Sequence, residues 1–284
     1  MEQSIGGLTL VGTPIGNLSD VSPRALEAFC NCDFVAAEDT RVTLTLLNHF
    51  DIKKPLLSYH EHNKRKRGAQ ICARLAAGER AVLVSDAGMP AISDPGEDLV
   101  RLCHEQNIPV TVVPGPCAAV TALALSGMPA GRFTFEGFLS VTKRVRREHL
   151  LSLQTETRTM IFYEAPHKLP STLQDMLEVF GDRPLALVRE LTKLHEEVIR
   201  TTLAAAAARF AAETPRGEFV VIVGGAEPKA DKPAFTAKTA AALARDYVAE
   251  GMSASAAAKT AAAETGIKKS EIYRQLIENE EQEE

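Results

Sequence analysis

The sequence predicts an α/β protein of two α/β domains, a largely parallel five-stranded sheet over residues 1–127 and a mixed sheet over 128–226, followed by a small helix-turn-helix-like appendage over 234–284. Three observations carry this expectation. In the first part, short apolar runs of strand length alternate with helical stretches, and each run ends in a polar or Gly/Pro motif. Farther on, consecutive strand-like runs near Glu197 and Glu218 break the alternation, as a mixed sheet requires. Beyond a polar, proline-bearing linker, Ala226–Pro233, two helical stretches flank a glycine turn.

Leu8–Val11 is the first strand, and it ends in Gly12-Thr13-Pro14-Ile15-Gly16-Asn17 before Ser22-Pro23 starts a helix through Cys30. That loop lacks the Lys-Ser/Thr of a P-loop and the spacing of GxGxxG, which disfavours nucleoside triphosphates and dinucleotides. Phe34–Ala37 is the second strand, followed by Glu38-Asp39-Thr40-Arg41 and a helix over Thr43–Phe50; Pro55–Tyr59 is the third, ending in His60-Glu61-His62-Asn63. His60 and His62 would share one face of an extended backbone, but no third ligand has suitable spacing, so the reading is a hydrogen-bonded loop and no metal is expected. Lys64-Arg65-Lys66-Arg67 starts the next helix, read over Gln70–Ala77. Four cations at a helix N-terminus oppose the macrodipole, so they form either a solvated face or a site for an anionic partner.

Ala81–Val84 has the length and branching of a strand buried on both faces, and it breaks at Ser85-Asp86-Ala87-Gly88-Met89-Pro90. Asp94, followed by Pro95 and Glu97, reads as the cap of a helix beginning at Pro95. Asp86 has no such role and either binds ligand or holds its loop by an Asx turn. Pro109–Val113 closes in Pro114-Gly115-Pro116 before a helix over Cys117–Ser126, with Gly127 as its C-cap. A doubly wound sheet gathers these five loops at one edge, beyond the carboxyl ends of its strands, where open parallel sheets bind ligands.

In the second part, Phe133–Leu139 alternates as a strand and Lys143-Arg144-Val145-Arg146-Arg147 forms another basic cluster. Thr159–Tyr163 is a strand ending in Glu164-Ala165-Pro166-His167-Lys168, with a helix over Ser171–Phe180. Leu185–Val188 ends in Arg189-Glu190-Leu191-Thr192, Glu197–Thr202 pairs antiparallel nearby, and Leu203–Ala212 is a helix before the strand Glu218–Val223. Thr239–Glu250, a helix from the cap Ser253 to Glu264, and Lys268–Glu278 complete the appendage, with an acidic tail over Glu278–Glu284. Acid–base candidates at strand ends are Glu38, Asp39, His60, Asp86 and Glu190, although Glu38 and Asp39 adjoin Arg41 and would equally serve as its ion-pair partners.

Hydrophobic residues make up 45% and charged residues 24% of the chain, ordinary for a globular protein. No run of about 18 apolar residues occurs and the MEQSIGG terminus lacks a signal pattern, so a cytoplasmic protein without a membrane partner is expected. Five cysteines without CxxC spacing read as reduced thiols. A net charge of −5 excludes coating nucleic acid by bulk charge and leaves such contacts to the basic clusters.

The ordered set LVGTPIGNLSD, AAEDTR, LLSYHEHN, VSDAGMPAISDPG, VPGPCAAVTAL, FEGFL, IFYEAPHK, RELTKLHEE and GEFVVIVGG, spread over Leu8–Gly225, resembles the small-subunit ribosomal RNA methyltransferases of the tetrapyrrole methylase superfamily, a class of S-adenosylmethionine-dependent enzymes. The resemblance implies S-adenosyl-L-methionine in a cleft between two α/β domains, a homodimer, and 2'-O-methylation of a cytidine in the decoding region of 16S rRNA, with the rRNA or the assembled small ribosomal subunit as partner. Carried over by motif, the cofactor would meet Pro14, Ser85, Asp86, Met89, Cys117, Ala118, Glu164 and Leu191. Lys64, Arg65, Lys66, Arg67, Lys143, Arg144, Arg146 and Arg147 would meet RNA phosphates. Tetrapyrrole methylases carry a GDP-type core loop where this chain has SDAGMPAISDPG, which favours the RNA branch. A methylase of a tetrapyrrole or other small molecule would have no use for the helix-turn-helix or Lys64–Arg67, and a non-catalytic RNA-binding protein on the same fold would bind RNA without transferring a methyl group.

Overall fold

The computed structural model describes residues 6–227 and 235–280, so most of the expected linker and the acidic tail beyond residue 280 lie outside the described residues. The chain divides into two compact units, Met1–Ala226 and Glu227–Glu284, and both sheets belong to the first.

The first sheet contains β1 (Leu8–Val11), β2 (Phe34–Ala37), β3 (Leu56–Ser58), β4 (Ala81–Val84) and β5 (Val110–Val113), in the order β3-β2-β4-β1-β5 with every pair parallel. Helices α1 (Pro23–Asn31), α2 (Thr40–His49), α3 (Lys64–Ala76) and α4 (Glu97–Glu105) connect them. Strand alternation divides the apolar residues between two cores. Phe34 and Leu83 meet Ile71, Leu75 and Leu99 on one face, while Val35 and Val82 meet Phe29 and Leu47 on the other. Both faces are therefore covered, which is why β2 and β4 read as unbroken apolar runs.

The second sheet contains β6 (Phe133–Phe138), β7 (Thr159–Glu164), β8 (Pro184–Arg189), β9 (Glu197–Thr202) and β10 (Phe219–Val223), in the order β6-β7-β10-β8-β9. Only β6 and β7 run parallel; the other pairs are antiparallel, so the sheet is mixed as expected. Helix α5 (Ala118–Ser126) follows the first sheet in sequence but packs Ala119, Ala122 and Leu123 against Ile161, Ala186, Val188 and Ile222 of the second. Helices α6 (Lys143–Ser152), α7 (Leu169–Phe180) and α8 (Leu203–Ala212) cover the opposite face around Leu150, Phe162, Leu173 and Phe210.

One local expectation is corrected. Asp94 does not cap a helix: α4 begins at Glu97 behind Gly96, and the Asp94 side chain turns back to hydrogen-bond Ser85. As expected, the basic run starts a helix: α3 begins at Lys64, where the Asn63 side chain ties the preceding loop by accepting from the His60 N–H and donating to the Ser58 carbonyl. Lys64–Arg67 thus forms the first turn of the helix, where Lys64 neutralises part of the unfavourable charge by pairing with Glu61 and Asp98 at 2.8 Å each.

The second unit holds α9 (Ala237–Ala249), α10 (Ala254–Thr265) and α11 (Lys269–Glu280). Ala240, Ala244, Ala257 and Ala261 give close-packing small faces that enclose Ile272 and Leu276. Gly266, at φ 74°, ends α10 in the left-handed conformation, and the turn 266–268 leads directly into α11, the expected helix, glycine turn, helix sequence.

Candidate active site

A cleft of about 340 Å³ opens where the carboxyl ends of β2 and β4 face the second sheet. Its first wall is built from the loops after β1, β4 and β5. Thr13 and Gly88 exchange backbone hydrogen bonds of 2.9 and 3.1 Å, locking the β1 and β4 loops together. A Cβ at Gly12 would lie 2.7 Å from the Gly115 Cα and 2.7 Å from the Met89 Sδ, so two loop backbones meet at a distance that only glycine permits. Ser85 is buried behind the wall, its hydroxyl donating to the Ala87 and Gly88 carbonyls. Neither Ser85 nor Pro14 lines the cleft, whereas Met89, Cys117 and Ala118 do.

Carboxylates dominate the rim on this side. The Asp86 carboxylate accepts from the Asp39 N–H at 2.9 Å, and the Glu38 carboxylate accepts from the Asp86 N–H, so the ends of β2 and β4 are stitched in both directions. Burial, and then the nearby charges of Asp94 and Asp86, push the Glu38 carboxyl above its ordinary value. Burial does the same to Asp94, which lines the cleft with Glu38 and Asp86.

The second wall comes from the other sheet. Tyr163 accepts from the Ala119 N–H at 3.0 Å, and burial together with the neighbouring Cys117 pushes its phenol up to about 12. Glu164 is only 2% exposed and fully engaged: it accepts from the Ala165 N–H, the Lys168 ammonium at 2.8 Å and the Thr172 hydroxyl at 2.6 Å. It shapes the cleft floor with its charge already compensated. Leu191 and Val188 add an apolar floor beside it.

Of the five acid–base candidates, Glu38 and Asp86 reach the cleft. Asp39 is engaged elsewhere: it caps α2 and binds Arg41, whose guanidinium holds its carboxyl down at about 2. Glu190, at φ 50°, turns its carboxylate to the Glu218 N–H and the Lys193 ammonium, and the first of these holds it below the usual carboxylate range. His60 lies outside the lining, its ring 6.0 Å from that of His62. Asp94, read from the sequence as a helix cap, also lines the cleft, as do Ile92, Phe138 and Tyr163, which were not singled out from the sequence. For Phe138 the available signal was its place at the end of an alternating strand.

The basic clusters separate into exposed and structural members. Arg65, Lys66, Lys143 and Arg144 face solvent. Arg146 is 5% exposed and pairs at 2.7 Å with buried Asp175, which corrects its assignment to an RNA-facing surface. Arg147 is bound to Asp175 and Glu178, tying α6 to α7. A shallower cavity of about 520 Å³ lies at the amino ends of β1 and β4, and among the described residues no carboxylate or histidine lines it.

Residues 7–207 match the family model of Tetrapyrrole (Corrin/Porphyrin) Methylases. The chain belongs to this family. Within it, the chain is 47% identical over 277 residues to a ribosomal RNA small subunit methyltransferase I of Synechocystis, covering 97% of this chain and 99% of that protein. It is 48% identical over 223 residues to the protein of the same name from Thermotoga maritima, covering 78% of this chain and all of that one. Among solved structures, a uroporphyrin-III C-methyltransferase of Thermus thermophilus complexed with S-adenyl homocysteine shares the fold at a TM-score of 0.54 and 18% identity, over 76% of this chain and 97% of that one. The doubly wound sheet, the mixed sheet and the intervening cleft are thus the tetrapyrrole methylase architecture.

Proposed function

We propose that this tetrapyrrole methylase family member transfers a methyl group from S-adenosyl-L-methionine to the ribose 2'-OH of a cytidine in the decoding region of small-subunit rRNA. The observation that carries the reading is the identity of 41–48% to rRNA small subunit methyltransferases I, against 14–20% to porphyrinoid methylases and a diphthine synthase on the same fold. The cleft suits the cofactor. Among the described residues no lysine or arginine lines it, which fits a molecule without phosphates, and the Gly12–Gly115 backbone contact holds the loops behind its first wall in place. Asp86, Met89, Cys117, Ala118 and Leu191 would hold it, with Glu164 and Ser85 fixing the walls behind them.

When bound, S-adenosyl-L-methionine supplies an electrophilic methyl group on a sulfonium sulfur. The protein's own task is to align the ribose oxygen with it and to take up one proton. Glu38 is suited to that proton: it lines the cleft, the Asp86 N–H orients it, and burial raises its basicity toward the working range. Methyl transfer dominated by alignment needs only this modest base.

Exposed Lys66, Arg65, Lys143 and Arg144 supply the phosphate contacts, and the α10–α11 unit adds a second RNA-facing element. Helix α5 leaves Val120 and Leu125 exposed after burying its other face, which supports a homodimer through that apolar surface. The proposed setting is the cytoplasm; among the described residues no helix is long and apolar enough to cross a membrane. Incubating the protein with labelled S-adenosyl-L-methionine and small ribosomal subunits, then digesting the RNA to nucleosides, tests the reading. Label is expected in 2'-O-methylcytidine. Label on a base, or label only on a porphyrinoid supplied in a parallel incubation, would replace the proposed substrate, and no label in either would indicate a binding protein.

A further inference from the structure

Two large apolar side chains at the cleft are left mostly in solvent: Phe138 is 59% and Ile92 54% exposed, and both line the cleft, Phe138 from the end of β6 and Ile92 from the loop after β4. Single exposed apolar residues are ordinary on a protein surface. A pair facing one polar cleft from opposite walls is not. The buried floor, formed by Leu191 and the compensated Glu164, lies beneath a rim whose apolar surface is more than half open to solvent.

The backbone places Phe138 there by a local irregularity. Strand β6 pairs with β7 in regular register through Phe135 opposite Ile161, then shifts so that Gly137 lies opposite Phe162 and Phe138 opposite Tyr163. Gly137 adopts φ 63°, a left-handed conformation that the absence of a Cβ makes inexpensive. The extra residue puts Phe138 on the same face as Phe135, Ile161 and Tyr163, toward the cleft. In strict alternation it would have pointed with Phe162 into the opposite core. The ring is also braced, with its centroid 5.4 Å from Tyr163 at 61°, while Tyr163 is held by Phe135 at 5.1 Å and by the Ala119 N–H. A fixed aromatic ring with most of its surface open is a stacking platform. Five and six residues on, Lys143 and Arg144 stand exposed in the first turn of α6, suited to the phosphates flanking a nucleotide in the cleft.

Resting on the proposed rRNA substrate, we infer that Phe138 is the platform on which the base of the target nucleotide stacks, opposite Ile92, while its ribose enters the cleft. The 2'-OH must approach the cleft interior, so the base attached to that ribose is left at the rim. Unstacked RNA bases are commonly held in this way. Stacking on a phenyl ring tolerates any base, so Phe138 contributes to productive placement and base identity is read elsewhere.

The chain contains no tryptophan, so Phe138→Trp gives a protein with one tryptophan at the rim. Its fluorescence should be quenched by small ribosomal subunits and unaffected by S-adenosyl-L-methionine alone. Phe138→Ala should keep its melting temperature and its cofactor affinity by calorimetry, but lose about five- to a hundredfold in kcat/KM for small subunits. Phe138→Trp should restore most of that loss, whereas Phe138→Leu should not. Unchanged kcat/KM in Phe138→Ala, full rescue by leucine, or quenching by the cofactor alone would each overturn the inference; the last would assign the ring to the cofactor. A parent protein that methylates no rRNA would overturn the substrate reading itself, a result separate from a methylating parent that ignores Phe138→Ala.

Discussion

Glu38 combines cleft exposure, an orienting backbone N–H and a raised pKa, a conjunction that no other carboxylate of the chain shares among the described residues. The kcat/KM of the parent should therefore fall on acidification at a pH above the ordinary glutamate value, and Glu38→Gln should lower single-turnover methyl transfer about ten- to a thousandfold and remove that limb. Retention of the limb in Glu38→Gln would assign the proton to another group. The stability sign is also fixed. A raised pKa means that the folded state favours protonated Glu38, so its stabilisation is complete below the ordinary glutamate value and is lost as pH rises through the raised one. Glu38→Gln should thus gain stability relative to the parent at neutral pH and lose this advantage in acid, as urea midpoints will show. Asp39 works in the opposite sense: with its carboxyl held at about 2 by Arg41, its contribution is present above the ordinary aspartate value and lost as pH falls toward 2. Arg146 belongs to stability. Its removal leaves Asp175 buried without its main partner, at a cost of about 3–5 kcal/mol, so Arg146→Ala should lower the melting temperature while Lys143→Glu and Arg144→Glu flatten the salt dependence of RNA binding. An equal salt slope in the parent and both surface variants would mark those cations as solvated only.

At the scale of elements, the cleft depends on strand-end loops that lock each other. Gly12 and Gly115 bring the β1 and β5 loops into backbone contact, and Gly115→Ala would place its Cβ 2.8 Å from the Gly12 Cα. Neither loop can yield by a side-chain rotation, so the variant should lose about 1–3 kcal/mol of stability and bind S-adenosyl-L-methionine more weakly. Calorimetry showing unchanged cofactor affinity would separate this cradle from the binding site. Helix α5 links the two sheets: it begins at the cleft with Cys117 and Ala118 and buries its small-residue face on the second sheet. The sequence shows that AAVTALALS is a helix former of low polarity, but not which sheet it covers, because its apolarity extends around the helix and lacks one marked face.

For the whole molecule, two units with separate cores predict separable roles. Ending the chain after Ala226 should leave a folded, cofactor-binding protein that methylates small subunits more slowly. Full activity of the shortened chain would make the α9–α11 unit dispensable, and loss of cofactor binding would show that the first unit requires it.

The sequence by itself determined the alternation of strands and helices, the mixed character of the second sheet, the glycine turn between α10 and α11 and the edge at which the strand-end loops gather. These follow from local signals: buried parallel strands must be apolar throughout, and glycine is favoured where the chain turns through positive φ. Glu38 and Asp86 were legible for the same reason, as polar residues directly after buried strands. Asp94, Arg146 and Phe138 were not. Asp94 carries a helix-cap pattern, yet its carboxyl bonds Ser85 across the loop; Arg146 sits in a basic run, yet pairs with Asp175 on another helix; Phe138 follows a bulge whose register is set only by pairing with β7. In each case the deciding partner is distant in sequence, and only the folded chain brings it within hydrogen-bonding or packing distance.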